Sequence, residues 1–171
     1  CSSRTSGEHD QMKIASFCTV AVAAILSASS AQATARYSVV DLGTLGGNSS
    51  YSSEINASGE IAGVSTLASG NSHGFVWRNG FMTDLGTLGG DSSYAYGIND
   101  IGQVTGNSSI GGGGSSHAFV ATNGLMYDIG TINGSSASVG YGINKLGQVS
   151  GFGSTSNGNR AFLFDGGPLM D

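Results

Sequence analysis

The chain is built on a tandem repeat of 43 or 44 residues. The heptapeptide DLGTLGG at Asp41–Gly47 recurs unchanged at Asp84–Gly90, and a variant, DIGTING, occupies Asp128–Gly134. Asp171 stands 43 residues after Asp128, where a fourth copy would begin. Self-similarity at periods of about 20 to 50 residues is typical of stacked modules, each of which buries its apolar face against a neighbour. The repeat therefore restricts the fold to such an array.

Three further landmarks recur once per module, at intervals of 43 to 45 residues: an Ile-Asn pair, a tetrapeptide ending in Gly, and a tripeptide ending in Phe. They are Ile55-Asn56, Ile98-Asn99 and Ile143-Asn144; Glu60–Gly63, Gln103–Gly106 and Gln148–Gly151; and His73–Phe75, His117–Phe119 and Arg160–Phe162. We place three modules at residues 41–83, 84–127 and 128–170 of a repeat array that spans residues 34–171.

Each module predicts four short antiparallel strands. In the first module these are Tyr51–Asn56, Glu60–Ser65, His73–Trp77 and Phe81–Leu85. Asn79-Gly80, between the last two, is the strongest short-range signal for a β-hairpin, because both residues tolerate the positive φ of a tight turn. No segment of the array combines a helical period with helix caps.

Four strands in about 40 to 45 residues is the size of one β-propeller blade. We therefore expect an all-β fold, β-propeller-like, with three blades of an incomplete ring. The alternatives are a β-solenoid and an open antiparallel array, although parallel solenoid strands cannot be joined by two-residue turns. Arg36–Leu42 matches the fourth strand of the other modules, so we expect a lone strand there. Further repeats or an anchor are expected beyond Asp171.

The segment before the array has the pattern of a secretory signal peptide at residues 12–33. Lys13 precedes the mostly apolar stretch Ile14–Leu26, and Ala31-Gln32-Ala33 forms an A-x-A cleavage site. Cleavage is expected after Ala33, with Ala35 as the second choice. The apolar stretch has 13 residues, fewer than the about 20 that cross a bilayer as a helix. Residues 1–11 are polar and patternless, and we interpret them as upstream sequence outside the native protein.

Composition limits the partners of the processed chain. Cys1 and Cys18 both precede the cleavage site, so no disulfide or thiolate metal site is expected in residues 34–171. A net charge of −5 with six Lys and Arg residues excludes an electrostatic nucleic-acid footprint. We expect a secreted, extracellular or cell-surface protein with no membrane segment in the processed chain; the periplasm is the alternative location.

Residues 37–171 resemble the HAF-repeat family of extracellular bacterial proteins, which is named for a His-Ala-Phe tripeptide. The resemblance rests on the two DLGTLGG motifs, the Ile-Asn-x-x-Gly turns and His117–Phe119. It implies secretion and repetition, and it implies no particular activity. His73–Phe75 and Arg160–Phe162 depart from the tripeptide, so the resemblance does not extend a histidine function to every module.

Three side chains are candidates for ligand contact. His73 and His117 occupy equivalent positions in adjacent modules, but a metal site needs a third ligand and the third module has Arg160, which cannot ligate. A histidine that bonds a neighbouring loop at the start of a strand is the favoured interpretation. Trp77 is not repeated in the other modules, so it is either a local binding platform or part of the core, where the repeated Phe residues are expected.

Two other patterns resemble chemical motifs. Gly70–Gly74 matches the G-x-S-x-G nucleophile pattern, but it runs from a loop into a strand, whereas the motif needs a strand–turn–helix elbow. The repeated aspartates could form a calcium site, and a turn-stabilising role is favoured because the first three precede Gly by two residues. They are Asp41, Asp84, Asp128 and Asp171. We therefore predict no catalytic residues, metal or cofactor.

The sequence favours an exported, non-enzymatic scaffold or binding module. Recognition of a surface glycan or protein is expected at the loops Thr66–Ser72, Asn107–Ser116 and Gly153–Asn159, since loops vary over a fixed frame. One alternative is an extracellular hydrolase or lyase that acts on polysaccharide or peptide in an axial cleft. Another is a structural stalk or passenger of a larger surface protein.

Overall fold

A computed structural model describes residues 37–112 and 114–167, which form three antiparallel sheets. The first sheet contains β1 (Gly46–Ile55), β2 (Ile61–Leu67), β3 (Ser72–Arg78) and β4 (Phe81–Asp84). The second contains β5 (Gly89–Ile98), β6 (Val104–Ile110), β7 (Ser116–Thr122) and β8 (Leu125–Gly130). After a 3₁₀ turn at Ile132–Gly134, the third contains β9 (Ser138–Ile143), β10 (Val149–Thr155) and β11 (Gly158–Phe164).

The order of strands in every sheet follows the order of the chain, and none of the sheets closes on itself. The all-β prediction is confirmed, and the first two modules have their four predicted strands. The third sheet has three strands within the described residues, and its predicted fourth strand, which would begin at Pro168, lies outside that range. None of the described residues forms a helix long and apolar enough to cross a bilayer.

The prediction of a lone strand at Arg36–Leu42 is wrong for residues 37–42, the part of this range that the structure describes. Residues 37–44 form no strand, because their backbone groups pair with no neighbouring strand in the described part of the chain. Val39, fully exposed, and Val40, 63% exposed, lie in this segment. A segment with exposed apolar side chains and no strand partner among the described residues therefore precedes β1.

The hairpin turns obey the predicted chemistry. Asn79 and Gly80 have φ values of 53° and 88°, and Asn123 and Gly124 have 52° and 78°. Positive φ at both central residues is the mark of the type I′ turn, whose twist matches that of the flanking strands. These turns join β3 to β4 and β7 to β8, which confirms the Asn-Gly prediction.

One glycine in the second strand of each sheet is required by close approach of the neighbouring backbone. A Cβ atom there would overlap a carbonyl oxygen of the first strand. The glycines are Gly63, Gly106 and Gly151, and the carbonyls belong to Tyr51, Tyr94 and Val139, respectively. Each site lies beside a register shift between the first and second strands, so the bulge and the glycine occur together.

The apolar core lies between consecutive sheets. The cluster between the first and second sheets comprises Ala62, Val76, Ala95, Ile98, Val104, Phe119 and Ala121. The cluster between the second and third comprises Ala118, Val120, Ile129, Ile132, Val149 and Phe162. The tripeptide residues Phe75, Phe119 and Phe162 are all buried, as predicted for core positions. Each module thus buries its face against the next module, in agreement with the repeat argument.

An asparagine ladder links the modules through their first turns. The Asn56 side-chain amide donates to Asn99 O at 3.0 Å, and Asn99 donates in the same way to Asn144 O at 2.8 Å. The Oδ1 atom of each asparagine meanwhile accepts backbone N–H bonds within its own turn. The repeated Ile-Asn pair therefore both shapes a turn and joins it to the following module.

Candidate binding groove

His73 and His117 lie in matching hydrogen-bonded pairs. His73 Nδ1 lies 2.9 Å from both carboxylate oxygens of Asp84, and His117 Nδ1 lies 2.8 Å from Asp128 Oδ2. Each pair joins the beginning of the third strand of a sheet to the fourth strand. Both imidazole rings are mostly buried. A contact between either ring and a ligand stays a prediction.

The repeated aspartates stabilise the turn after the fourth-strand position. Oδ1 of Asp41, Asp84 and Asp128 accepts the backbone N–H two residues on, at 2.9, 2.7 and 2.7 Å. This confirms the turn interpretation for the three, while Asp171 lies outside the described residues. No three His, Cys, Asp or Glu side chains converge within residues 37–112 and 114–167.

The structure does not bring the three candidate side chains together. His73 and Trp77 stand four residues apart on β3, roughly 13 Å at the rise of a β-strand, and His117 lies in the second sheet. Trp77 is partly buried, opposite Ile61 and Met82 in the register of the sheet. The cleavage site at Ala33 lies outside the described residues.

A polar groove of about 550 Å³ runs along β5, β6 and the loop that follows β6. Asp91, Ser92, Tyr94, Asn107 and Ser109 line it, together with residues 110–112 and 114–116. Hydroxyl, amide, phenol and carboxylate groups thus face one concave surface beside a glycine-rich loop. A concave surface on which a small number of polar groups converge is a usual feature of ligand-binding sites.

Asn107 is the unusual residue of this groove. It lies directly opposite Tyr94 in the register of the sheet, and its Oδ1 atom is buried without a hydrogen-bond partner among the described residues. A buried acceptor that is left unsatisfied costs about 1–3 kcal/mol. The equivalent residues are Val64 in the first module and Phe152 in the third. The chain therefore departs from its own repeat here, at a cost in stability.

The loop beside the groove is also particular to the second module. It covers residues 111–115, whereas residues 68–71 join β2 to β3 and only residues 156–157 join β10 to β11. The predicted recognition loops were too wide at both ends, because the strands extend into them. Thr66 and Ser109 explain the extension: each hydroxyl accepts a backbone N–H from the first strand, at 3.0 and 2.9 Å.

A row of aromatic rings leads from the groove toward the third sheet. The ring centroids of Tyr96 and Tyr141 are 5.4 Å apart, and those of Tyr141 and Phe152 are 5.9 Å apart. Burial, followed by the nearby Tyr141 and Tyr94, raises the pKa of the Tyr96 phenol. Tyr141 remains 54% exposed, so its ring is open to a partner. We call Tyr94, Tyr96 and Tyr141 the tyrosine strip.

Sequence reasoning missed both the groove and the tyrosine strip. The available signal was departure from the repeat: Tyr96 and Tyr141 correspond to Ser53 of the first module, and Asn107 corresponds to apolar residues in both other modules. Comparisons with protein-family models, curated proteins and solved structures found no match. The resemblance to the HAF-repeat family therefore stays a prediction.

Proposed function

We propose that the protein is an exported, non-enzymatic β-repeat scaffold that binds a surface polysaccharide in the groove of its second module. The observation that carries the proposal is the unsatisfied Asn107 in a concave polar surface. Asn107 and the longer loop between β6 and β7 are particular to the second module. A scaffold with one specialised module has this distribution of regular and irregular positions.

The chemistry of the site suits a sugar chain. Sugar hydroxyls can donate to the carboxylate of Asp91, and they can exchange hydrogen bonds with Ser92 and Ser109. The Oδ1 atom of Asn107 lies beneath this surface with almost no solvent-accessible area. The apolar faces of sugar rings pack on aromatic rings, and exposed Tyr141 offers such a surface. Rotation of the Asn107 side chain toward the groove on binding would let a sugar hydroxyl donate to its Oδ1 atom, so part of the cost in the free protein returns as binding free energy.

We further propose a β-propeller-like arrangement of the modules. Its support is the four-stranded antiparallel sheet, the tight turns between strands and the packing of each sheet on the first strand of the next. In such an arrangement the first strands of successive modules lie near one another. The contact between Tyr96 and Tyr141 joins the first strands β5 and β9 in this way.

Binding of soluble polysaccharides by the full chain tests the function. We expect Asn107→Val and Tyr94→Ala to weaken binding at least tenfold, because they remove the amide and an aromatic face. Tyr51→Ala is the matched control, since Tyr51 is the equivalent of Tyr94 in the first module and is already 69% exposed. Equal affinities for the wild type, Asn107→Val and Tyr94→Ala would contradict the proposal.

The hydrolase alternative has one observation in its favour, the carboxylate of Asp91 in the groove. Glycoside hydrolysis normally uses two carboxyl groups about 5–10 Å apart, and Asp91 is the single carboxylate among the described lining residues. Release of reducing ends from a bound polysaccharide separates the two functions. Release by the wild type that is lost in Asp91→Asn would replace the binding proposal by the hydrolytic one.

A further inference from the structure

Both contacts between adjacent modules use side chains at equivalent positions of the repeat. In the third sheet the side chains at these positions are exposed to solvent. Val76 and Val120 point from one sheet into the core shared with the next, and they are 4% and 9% exposed. Leu163 is their equivalent in the third sheet, and it is 64% exposed. The third sheet therefore presents the apolar half of a module contact to solvent.

Polar groups on the same face repeat this pattern. The amide N–H groups of Gly74 and Ala118 are buried and donate to a serine of the following module, at 2.9 and 2.8 Å. Their equivalent, Ala161, is exposed. Asn144, the third member of the asparagine ladder, bonds only Gln148 through its Nδ2 atom among the described residues. A groove of about 300 Å³, lined in part by Asn144 and Leu163, marks the open face.

The first module exposes the complementary half. Ile98 lies in the core between the first two sheets and is 3% exposed, whereas its equivalent Ile55 is 63% exposed. Ser93 and Ser138, which accept the amide N–H bonds, are fully buried, and their equivalent Ser50 is half-buried. Ser50 Oγ donates to Gly43 O at 2.7 Å, so its lone pairs remain able to accept a further N–H bond.

Charge complements the shape at the same place. In the first two sheets, a histidine of the third strand pairs with an aspartate at the fourth-strand position. The third sheet has Arg160 instead, and Asp41 stands in the fourth-strand position ahead of β1, beside the exposed Val39 and Val40. A segment bearing Asp41 that paired with the edge of β11 would place opposite charges together.

We propose that copies of this chain associate head to tail, with β1 of one copy on the open face of the third sheet of another. Residues 39–41 of the first copy add a strand to the edge of β11, which pairs with β10 alone among the described residues, and its Asp41 meets Arg160. The contact reproduces the two internal module contacts and does not depend on the glycan proposal. It is a heterologous contact, which gives a ring if the rotation between copies closes and an open filament if it does not.

Sedimentation of the full chain over a range of concentrations tests the association. We expect the wild type to form species of two or more copies. Leu163→Asp, at the tail, and Ile55→Asp, at the head, should each lower the association constant at least tenfold. Leu125→Asp is the matched control, because Leu125 is 59% exposed and its equivalent Phe81 stays exposed in a module that has a neighbour.

An equimolar mixture of the two defective variants makes the test specific. Each retains one intact half of the contact, so the mixture should restore a two-copy species at concentrations at which each variant alone is monomeric. Circular dichroism of each variant, with its β signal retained, shows that the chain has folded. A wild type of one copy at every concentration, or a mixture that fails to associate, would overturn the proposal.

A second pair of variants separates the partner copy from the chain itself. Asp171 also follows Arg160 by the 11 residues that separate each histidine from its aspartate, so it could supply the fourth-strand carboxylate within one chain. We expect Asp41→Lys to weaken association at least fivefold and Asp171→Lys to leave it unchanged. The opposite result would assign the edge of β11 to the chain's own terminus.

Discussion

Single hydroxyl groups between the modules satisfy several backbone groups at once. Ser138 Oγ accepts the N–H of Ala118 and donates to the carbonyl of Gly130, and Ser93 makes the same two contacts one module earlier. Both serines are fully buried. A buried N–H or C=O group that loses its partner costs more than the bond itself contributes, so these serines matter more than their small size suggests.

Ser138→Ala should lower the free energy of unfolding by about 2–3 kcal/mol, because it leaves an N–H and a C=O group unpaired in the core. Ser50→Ala should cost about 1 kcal/mol, since Ser50 is half-buried and bonds Gly43 alone through its hydroxyl hydrogen. Denaturant unfolding of the two variants measures both values. Equal losses would contradict the role of Ser138 between modules.

Tyr96 should make stability depend on pH in the alkaline range. Its pKa is raised by burial, and further by Tyr141 and Tyr94, so the folded state holds the phenol proton more tightly than the unfolded state. The associated stability is fully present below about pH 10, the ordinary tyrosine value, and is lost as the pH rises through the folded pKa. Unfolding midpoints of the wild type should therefore fall more steeply with alkaline pH than those of Tyr96→Phe. Parallel curves would count against this coupling.

The conformation and contacts of a residue could be predicted where they depend on nearby residues in the sequence. They could not be predicted where they depend on a neighbouring strand. The positive φ of Asn79 and the turn bond of Asp84 follow from the residue types and their spacing to Gly. The pairing of His73 with Asp84 needs the register of β3 and β4, which joins residues 11 positions apart. Asn107 was included only in a loop, because burial of its amide depends on β5 lying beside it.

The second strand of each sheet owes its path to one small residue. Gly106 faces the backbone of Tyr94 where β5 and β6 shift register, and the same arrangement recurs in the other two sheets. A bulge in this position bends the first strand while the second strand passes close to it. The bulge therefore requires the glycine opposite it, and the two occur together once per module.

Gly106→Ala should lower the free energy of unfolding by about 2–3 kcal/mol, because the new Cβ displaces the Tyr94 carbonyl from the ladder. Gly167→Ala is the control: its backbone needs no positive φ and no atom lies near the position of a Cβ. Thermal unfolding followed by circular dichroism compares the two variants. A Gly106→Ala protein as stable as Gly167→Ala would show that the backbone yields easily there.

Strand number in the first two modules and turn chemistry followed from the repeat, but strand ends did not. The sequence predicts the first strand from Tyr51, where apolar alternation begins, while β1 starts at Gly46. The additional pairing is held by hydroxyl groups, such as Thr66 Oγ1 with the amide of Asn48, which hydropathy does not register. Polar side chains that bond the neighbouring backbone thus extend sheets beyond their apolar positions.

On the scale of the whole molecule, the described modules are joined in sequence. Both core clusters, and both steps of the asparagine ladder, join adjacent sheets. Stability of such arrays is approximately a sum of module and nearest-neighbour terms. The length of the array should therefore be adjustable in whole modules.

Deletion of residues 84–127, one complete module, should give a folded shorter protein in which the first module packs on the third. The same core positions meet across the new contact, while the glycan groove is lost. Deletion of residues 84–117, which is out of step with the repeat, should abolish cooperative unfolding. Thermal unfolding and polysaccharide binding measure the outcomes, and a disordered 84–127 deletion would contradict nearest-neighbour stability.

Export makes a separate prediction at this scale. Expression of the full chain in a bacterium with a secretory pathway should release a product that begins at Thr34, because Ala31-Gln32-Ala33 is the expected cleavage site. Ala33→Tyr should block processing, while Ala35→Tyr should leave it intact. Mass spectrometry of the released protein identifies its first residue. An intracellular product that retains residues 12–33 would contradict the predicted signal.

The forward reach of the asparagine ladder has a consequence for how the protein can mature. The Asn56 amide can form its hydrogen bond only after a carbonyl 43 residues downstream has emerged, and the Asn99 amide only after one 45 residues downstream has emerged. If the polypeptide emerges from an export channel amino terminus first, every sheet can be sealed as soon as the next turn appears. Only the most recently emerged sheet then has an uncovered face toward the following module. This limits the exposed apolar surface that can aggregate during export.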